Sequence, residues 1–444
     1  MNFISAMGGT GWTVVSVVIP FLFVLTIVVF FHELGHFWVA RRCGVRVEVF
    51  SIGFGRELFG FNDRHGTRWK LSAIPLGGYV KFFGDADAAS KPDFAGAEAM
   101  SAEERSVSFL YKSLAQRAAI VAAGPIANFI LAIVVFAGIF SLYGKPFIEP
   151  RVGGLVPVSI TDQGGFRPGD VIYSVGGERA ISLDAIKATL AAKAGQQLDV
   201  VVSRGSQQVT VSAVPQAAWF QGSVAEQAGF RPGDLVLSIN GRAIESFTDM
   251  QRFVEVRAGE PLQVVVNRDG RNVEITATPS ITQFKDRFGG THRVGRLGIS
   301  PSRDQAAMVI RRYDPATATW LGVKETWFVV ERTFGYLGGV IMGTQSADQL
   351  GGPIRIAQVS GEAASIGFGA LLSLVALISV SIGLLNLFPI PMLDGGHLVF
   401  YAIEAIRGRP MSEQAQEMAF RVGLALVLMM MIFATWNDLR GLVG

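Results

Sequence analysis

Charged side chains are scarce here: Asp, Glu, Lys and Arg make up 17% of 444 residues, against roughly a quarter in an ordinary soluble protein. With half of the residues hydrophobic and a mean hydropathy of +0.39, the composition excludes a disordered chain and does not suit a purely soluble enzyme. Cysteine occurs once, at Cys43, which excludes a disulfide framework within the chain and any multi-thiolate metal site. No run of Lys or Arg is present and the net charge is only +3, so nothing selects nucleic acid as a partner. The 52 glycines form no repeat, which points to tight turns and close backbone approaches rather than a linker or collagen. What is left is a membrane protein.

Residues 1–32 hold no charge at all, and 13–31 are long enough for a helix across ~30 Å of hydrocarbon. A signal peptide needs a basic start and a small-residue cleavage site; neither is seen, so a retained helix is expected. Further charge-free runs cover 118–144, 363–393 and 422–437. Four transmembrane helices are predicted. Arg41, Arg42 and Arg46 follow the first span, Arg117 opens the second, and Arg407, Arg409 and Arg421 lie between the third and fourth. Basic residues favour the inside, so both termini and the segment from Lys145 to Glu362 are expected outside.

That outer segment contains a repeat. Gly165-Phe-Arg-Pro-Gly-Asp170 recurs as Gly229-Phe-Arg-Pro-Gly-Asp234, a step of 64 residues. Val200-Val-Val-Ser-Arg204 and Pro215 recur at the same step, as Val264-Val-Val-Asn-Arg268 and Pro279. Each unit reads as a turn, an apolar strand, a helical stretch near Asp184 or Asp249, and two Val-rich strands. Ser223-Val-Ala-Glu-Gln-Ala-Gly229 resembles bacterial PDZ domains, whereas the first unit carries Ser159-Ile-Thr-Asp-Gln-Gly-Gly165 instead. Two tandem PDZ-like α+β modules are expected, either peptide-binding or spacers.

The first charged residue of the chain is Glu33, inside His32-Glu-Leu-Gly-His36 at the inner end of span one. Residues four apart share a helix face, so both imidazoles can reach one metal ion. Glu33 need not be a ligand. Zinc lowers the pKa of a bound water to about 7, and a neighbouring carboxylate can take its proton during attack on a carbonyl. Ionisable groups at a membrane helix end are costly and usually functional; the competing reading has both histidines satisfied by helix carbonyls. A third ligand is expected from Asn386-Leu-Phe-Pro-Ile-Pro-Met-Leu-Asp394-Gly-Gly-His397, where Pro389 and Pro391 break the helix before Asp394.

Between spans one and two, 45–49 alternates at period two and 69–80 forms a second strand-like segment closed by Gly77 and Gly78. A hairpin here lies beside the zinc site. Its exposed edge can hold a substrate helix in extended form by strand addition; the alternative is a cytosolic hairpin unrelated to substrate. His65 and His292 are expected in polar loops, and His397 beside the site or in solvent. Residues 320–345 read as an amphipathic or interfacial segment, either a brace or a gate.

The paired motifs, His-Glu-Leu-Gly-His early and Asn-x-x-Pro-x-Pro-x-Leu-Asp-Gly late with PDZ-like units between, resemble the site-2 protease family of intramembrane zinc metalloproteases. The bacterial regulator of sigma-E protease group is the nearer match. Phe50-Ser-Ile-Gly-Phe-Gly55 and Pro75-Leu-Gly-Gly-Tyr-Val80 also look like family segments. The resemblance implies that His32, His36 and Asp394 bind Zn2+ and that Glu33 is the catalytic carboxylate. It implies substrate handling by Asn386, Pro389 and Pro391, and the hairpin adds Gly77 and Gly78. The expected division is 1–43 (first span with the histidines), 44–113 (membrane-associated loop with hairpin), 114–144 (second span), and 150–215 and 216–280 (PDZ-like modules). It continues with 316–362 (interfacial segment), 363–397 (third span with Asp394) and 420–438 (fourth span). The implied protein is a multi-pass zinc endopeptidase of a bacterial inner membrane, its zinc near the cytoplasmic side. Expected partners are the lipid bilayer, pre-trimmed membrane-anchored substrates of the anti-sigma-factor kind and remnant signal peptides, with no nucleic acid. A non-enzymatic PDZ scaffold or chaperone with a structural zinc site is the alternative; a structural site normally has four protein ligands, and only three are found.

Overall fold

A computed structural model describes residues 3–85, 99–155, 171–179, 189, 192–193, 196–204, 207–213, 223–285, 291–301, 309–343, 347 and 351–443. The chain divides into two compact units, one of Met1–Lys145, Arg312–Gly338 and Leu350–Gly444, the other of Pro146–Arg311 and Gly339–Gln349.

The first unit is helical with one hairpin. Helix α1 (Phe3–Arg42) ends on Arg41 and Arg42, where cations meet the negative end of the helix dipole. Helix α2 (Leu114–Leu142) starts at a capping box, Ser113 accepting from the Gln116 N–H while the Gln116 side chain reaches back. Helices α3 (Pro315–Ile341), α4 (Pro353–Ile366), α5 (Phe368–Asn386), α6 (Asp394–Arg407) and α7 (Glu413–Val443) complete the unit. Among the described residues, four stretches are long and apolar enough to cross a membrane: Val15–Arg42, Leu114–Leu142, Phe368–Asn386 and Gln414–Arg440. The chain is thus a multi-pass membrane protein with β domains.

The third apolar run is not one helix. It is cut at Gly367, whose φ of +138° a side chain rarely adopts, and again after Asn386. The 19-residue α5 between the cuts, at 1.5 Å per residue, is about 28 Å long and close to the hydrocarbon thickness. The fourth span, expected over 422–437, is longer because polar residues from Gln414 onward continue the helix.

In lipid, helices gain from close packing rather than from leaving water, and small residues set how near they come. Gly35 presses α1 onto α2: a Cβ there would sit 2.8 Å from Ala127 Cβ and inside the Ala123 carbonyl. Gly383 does the same for α5, where a Cβ would lie 3.1 Å from Asn128 Cβ. Ser379 Oγ donates to the Asn128 carbonyl at 2.9 Å across that contact. Val24 and Val28 of α1, Leu131 of α2, and Leu371, Leu374 and Val375 of α5 fill one buried cluster. The three helices therefore form one packed group.

Strands β1 (Val47–Asn62) and β2 (Arg68–Phe82) make the antiparallel hairpin, with β1 running well past the five residues of period-two alternation. Bulges and positive φ at Gly53 (+86°) and Gly55 (+85°) bend it, which breaks the alternation that would have revealed its length. Phe50 and Val80 of the hairpin bury against Phe37 of α1, and the Phe50 ring stacks on Trp69. Phe54, Leu58, Phe59 and Phe61 stay exposed on the far part.

The second unit contains two antiparallel sheets of the same order. Strands β3 (Val171–Val175), β4 (Glu178–Arg179), β5 (Leu198–Arg204) and β6 (Gln207–Ala213) pair as β4-β3-β5-β6. Strands β7 (Leu235–Ile239), β8 (Arg242–Ala243), β9 (Leu262–Arg268) and β10 (Arg271–Ala277) pair as β8-β7-β9-β10. Every strand of the second set begins 64 residues after its counterpart. The helix expected near Asp249 is Phe247–Glu255; the first Pro-Gly-Asp turn, the stretch near Asp184 and Pro215 lie outside the described residues. Arg268 holds Asp234 through two 2.8 Å bonds, tying the end of β9 to the turn before β7. His292, expected in a loop, lies on β12 (Thr291–Arg296), which pairs with β11 (Ser280–Lys285). No hydrophobic alternation marks that strand.

Candidate metal centre

Helix α1 continues unbroken through His32 and His36, so the two rings stand one turn apart with centroids 4.8 Å from each other. Their Nε2 atoms are 3.2 Å apart. Asp394 arrives from a distant part of the chain. The prolines at 389 and 391 stop α5, and Met392 takes a positive φ of 93°, a strained conformation for a residue with a side chain. The chain then reverses into α6, and a Cβ on Gly395 or Gly396 would collide with the carbonyls of Leu387, Phe388 or Ile390. Asp394 Oδ2 lies 3.2 Å from His32 Nε2 and 3.6 Å from His36 Nε2.

Three donors converge within 4.8 Å of one another. Zinc at ~2.0–2.1 Å from two nitrogens and a carboxylate oxygen in a tetrahedron puts its donors about 3.3 Å apart. The observed spacings of 3.2, 3.2 and 3.6 Å fit that figure. His36 Nδ1 is 2.9 Å from the Ile120 carbonyl, which can only accept, so in the neutral ring Nε2 carries the free lone pair. Asp394 Oδ2 is buried and receives no hydrogen bond, despite its nearness to His32. Two imidazole nitrogens and a carboxylate oxygen converging on one point are a donor set that suits a zinc ion.

Glu33 sits between this cluster and the hairpin. Its carboxylate accepts a hydrogen bond from the Val80 N–H of β2. Gly78 makes the approach possible, since a Cβ there would be 3.2 Å from Glu33 Cγ and 2.9 Å from Val29 Cγ1. Gly77 has a φ of +134°, and a Cβ there would run into the Phe54 ring. Asn386 Nδ2 is 3.4 Å from His32 Nε2, at the edge of the cluster. Pro389 and Pro391 do not reach the donors; they shape the bend, and Pro391 packs where Gly423 of α7 leaves room. His397 is neither a donor to the cluster nor in solvent. It lines the same cavity one turn beyond Asp394, where burial pulls its imidazole below the ordinary histidine range.

Two residues of α2 complete the site without having been singled out from sequence. Gly124 faces the rings: a Cβ there would lie 2.5 Å from His36 Cε1 and 2.9 Å from His32 Cε1, and closer still to His36 Nε2. Asn128 is fully buried, with Nδ2 3.2 Å from His32 Nδ1. A glycine beside a proline inside an apolar span was the only available signal. The cluster opens into a cavity of about 1040 Å³ whose wall includes His32, Glu33, His36, Gly78, Asn386 and Asp394.

Apolar spans around a zinc-fitting donor set with an adjacent carboxylate define a multi-pass membrane metallopeptidase. Comparison with known proteins places the chain within that class. The family model described as Peptidase family M50 matches residues 20–430. A protein of Agrobacterium fabrum with a provisional zinc-metalloprotease name is 43% identical over 438 residues, 99% of each chain. Metalloprotease MmpA of Caulobacter vibrioides is 37% identical over 447 residues, 95% of each chain. Regulator of sigma-E protease RseP of Salmonella typhimurium is 36% identical over 456 residues, covering 94% of this chain and 97% of that one. The chain belongs to peptidase family M50 and is a zinc metalloprotease.

Proposed function

We propose that this protein is an intramembrane endopeptidase that hydrolyses transmembrane segments of membrane proteins already trimmed outside the bilayer. The observation that carries this reading is the position of Glu33. It is next in sequence to His32, bonded to β2 through Val80, and open to the cavity that holds the three donors. His32, His36 and Asp394 would hold the zinc. Zinc there supplies Lewis acidity, polarising a peptide carbonyl and lowering the pKa of a water to about 7. Glu33 takes a proton from the attacking water as its oxygen adds to the carbonyl carbon. As the C–N bond breaks, Glu33 returns that proton to the leaving amine. Asn386 lies close enough to the donors to orient the substrate carbonyl.

A helical substrate hides its peptide bonds in its own hydrogen bonds, so it must be extended before attack. The two-stranded hairpin has outer edges, and β2 passes beside Glu33, which supports strand addition as the presenting step. The 64-residue repeat of sheet order supports two PDZ-like modules, and basic residues at the span ends support an outside location for them. The name of the Salmonella relative favours anti-sigma-factor-like substrates in a bacterial inner membrane; remnant signal peptides are a second substrate class. The test is zinc content and cleavage of a model transmembrane substrate by wild type and Glu33→Gln. Glu33→Gln should keep its zinc and lose about 10²–10⁴-fold in rate. Wild-type turnover by that variant would remove Glu33 from the chemistry.

A further inference from the structure

Two buried oxygens beside the metal centre lack hydrogen-bond partners: Oδ1 of Asn128 and Oδ2 of Asp394. As the side chains stand, Asn128 turns its amide nitrogen to His32 Nδ1 at 3.2 Å. An amide N–H can only donate, so this arrangement leaves Nδ1 as acceptor and puts the ring proton of neutral His32 on Nε2. Nε2 is the atom that faces Asp394 and His36, where a metal ligand must be bare. A half-turn about the Cβ–Cγ bond exchanges the amide atoms, and the choice between the two is decided by the surrounding hydrogen bonds. With Oδ1 toward His32, Nδ1–H gains an acceptor, the orphaned oxygen gains a donor, and Nε2 is left with its lone pair.

We infer that Asn128 is a positioning residue for the metal, its side-chain carbonyl accepting the His32 Nδ1–H in the zinc-bound protein. The inference rests on the ligand set proposed above. It gives the two histidines matching supports on one helix, the Ile120 backbone carbonyl for His36 and the Asn128 side-chain carbonyl for His32. Ile120, Gly124 and Asn128 follow one another at four-residue steps and so share a face of α2. That face offers a carbonyl, a gap for the rings, and a second carbonyl. Asn128 is held there by Ser379 on its backbone oxygen and by Gly383 against its Cβ. Partners that orient a ligating histidine in this way typically contribute 10–100-fold in metal affinity.

The experiment is a zinc titration of the full-length protein in detergent, in competition with a chromophoric chelator. Asn128→Leu keeps the volume and removes the acceptor, so zinc should bind about 10–100-fold more weakly, with metal-free melting unchanged. Asn128→Asp retains an accepting oxygen and should restore the affinity to within a few-fold of wild type. Wild-type affinity in Asn128→Leu, or equal loss in both variants, overturns the assignment. Should Asn128→Leu not fold, nitrogen-15 histidine spectra of zinc-loaded wild type decide: a proton on His32 Nδ1 supports it and a bare Nδ1 overturns it. Absence of zinc binding in wild type would overturn the ligand set itself. Wild-type binding with an indifferent Asn128→Leu would remove only the role of Asn128.

Discussion

Adding one methyl group at Gly124 should disarm the metal centre without touching a ligand. An alanine Cβ there would lie 2.9 Å from His32 Cε1 and 2.5 Å from His36 Cε1, whereas ordinary contact begins near 3.4 Å. The His32 ring must therefore retreat by about 0.5 Å and the His36 ring by at least 0.9 Å, or α1 must lift from α2. Gly35, which has no room for a Cβ against Ala123 and Ala127, is evidence that the helix pair cannot slide closer elsewhere to compensate. The donor spacings of 3.2–3.6 Å leave little slack for such a shift. Overpacking of this size typically costs about 1–3 kcal/mol in fold stability. Zinc affinity should fall at least about tenfold, the lower end of what disturbing an oriented histidine costs. Gly138, on the same helix with nothing within 4 Å of its would-be Cβ, is the control. Gly138→Ala should bind zinc as wild type and gain up to about 1 kcal/mol in helix propensity. Both variants are measured by zinc titration with a competing chelator and by thermal melting with and without metal. Equal zinc affinity in Gly124→Ala and wild type would refute the packing argument, as would equal losses in both alanine variants.

Gly78→Ala should crowd Glu33 Cγ and Val29, lowering turnover of transmembrane substrates while zinc stays bound; metal analysis beside kcat/KM checks this, and lost zinc would contradict it. In the second module, burial raises the Asp234 carboxyl, but Arg268 prevails and holds it below its ordinary range. A depressed carboxylate stabilises the fold above its unfolded pKa, and that contribution fades as pH falls through the lower folded value. Melting of the protein should therefore weaken below about pH 4. Asp234→Asn should lose about 1–3 kcal/mol at neutral pH and flatten that part of the acid response, measured by thermal melts across pH.

The sequence by itself determined the features that depend on local spacing. His32 and His36 share a helix face because they are four residues apart, and no tertiary contact is needed to know it. The charge-free runs announced the spans because hydrocarbon excludes charge, and the 64-residue step announced two sheets of one order because equal patterns fold alike. The break before Asp394 was legible in part: Pro389 and Pro391 stand two residues apart, whereas the single prolines Pro20 and Pro125 sit inside helices that continue past them. Other features had no local signature. Hydrophobicity is blind to φ, so the turn at Gly367 within an apolar run could not be read. The hairpin outran its alternation because bulges erase period two. Only tertiary structure could bring Asp394 to 3.2 Å from His32 across most of the chain. It alone gave Gly124 and Asn128 their importance: in sequence they are a glycine and an asparagine in an apolar helix. In space one is the gap that admits the imidazole rings, and the other is the polar contact that reaches the ring of His32.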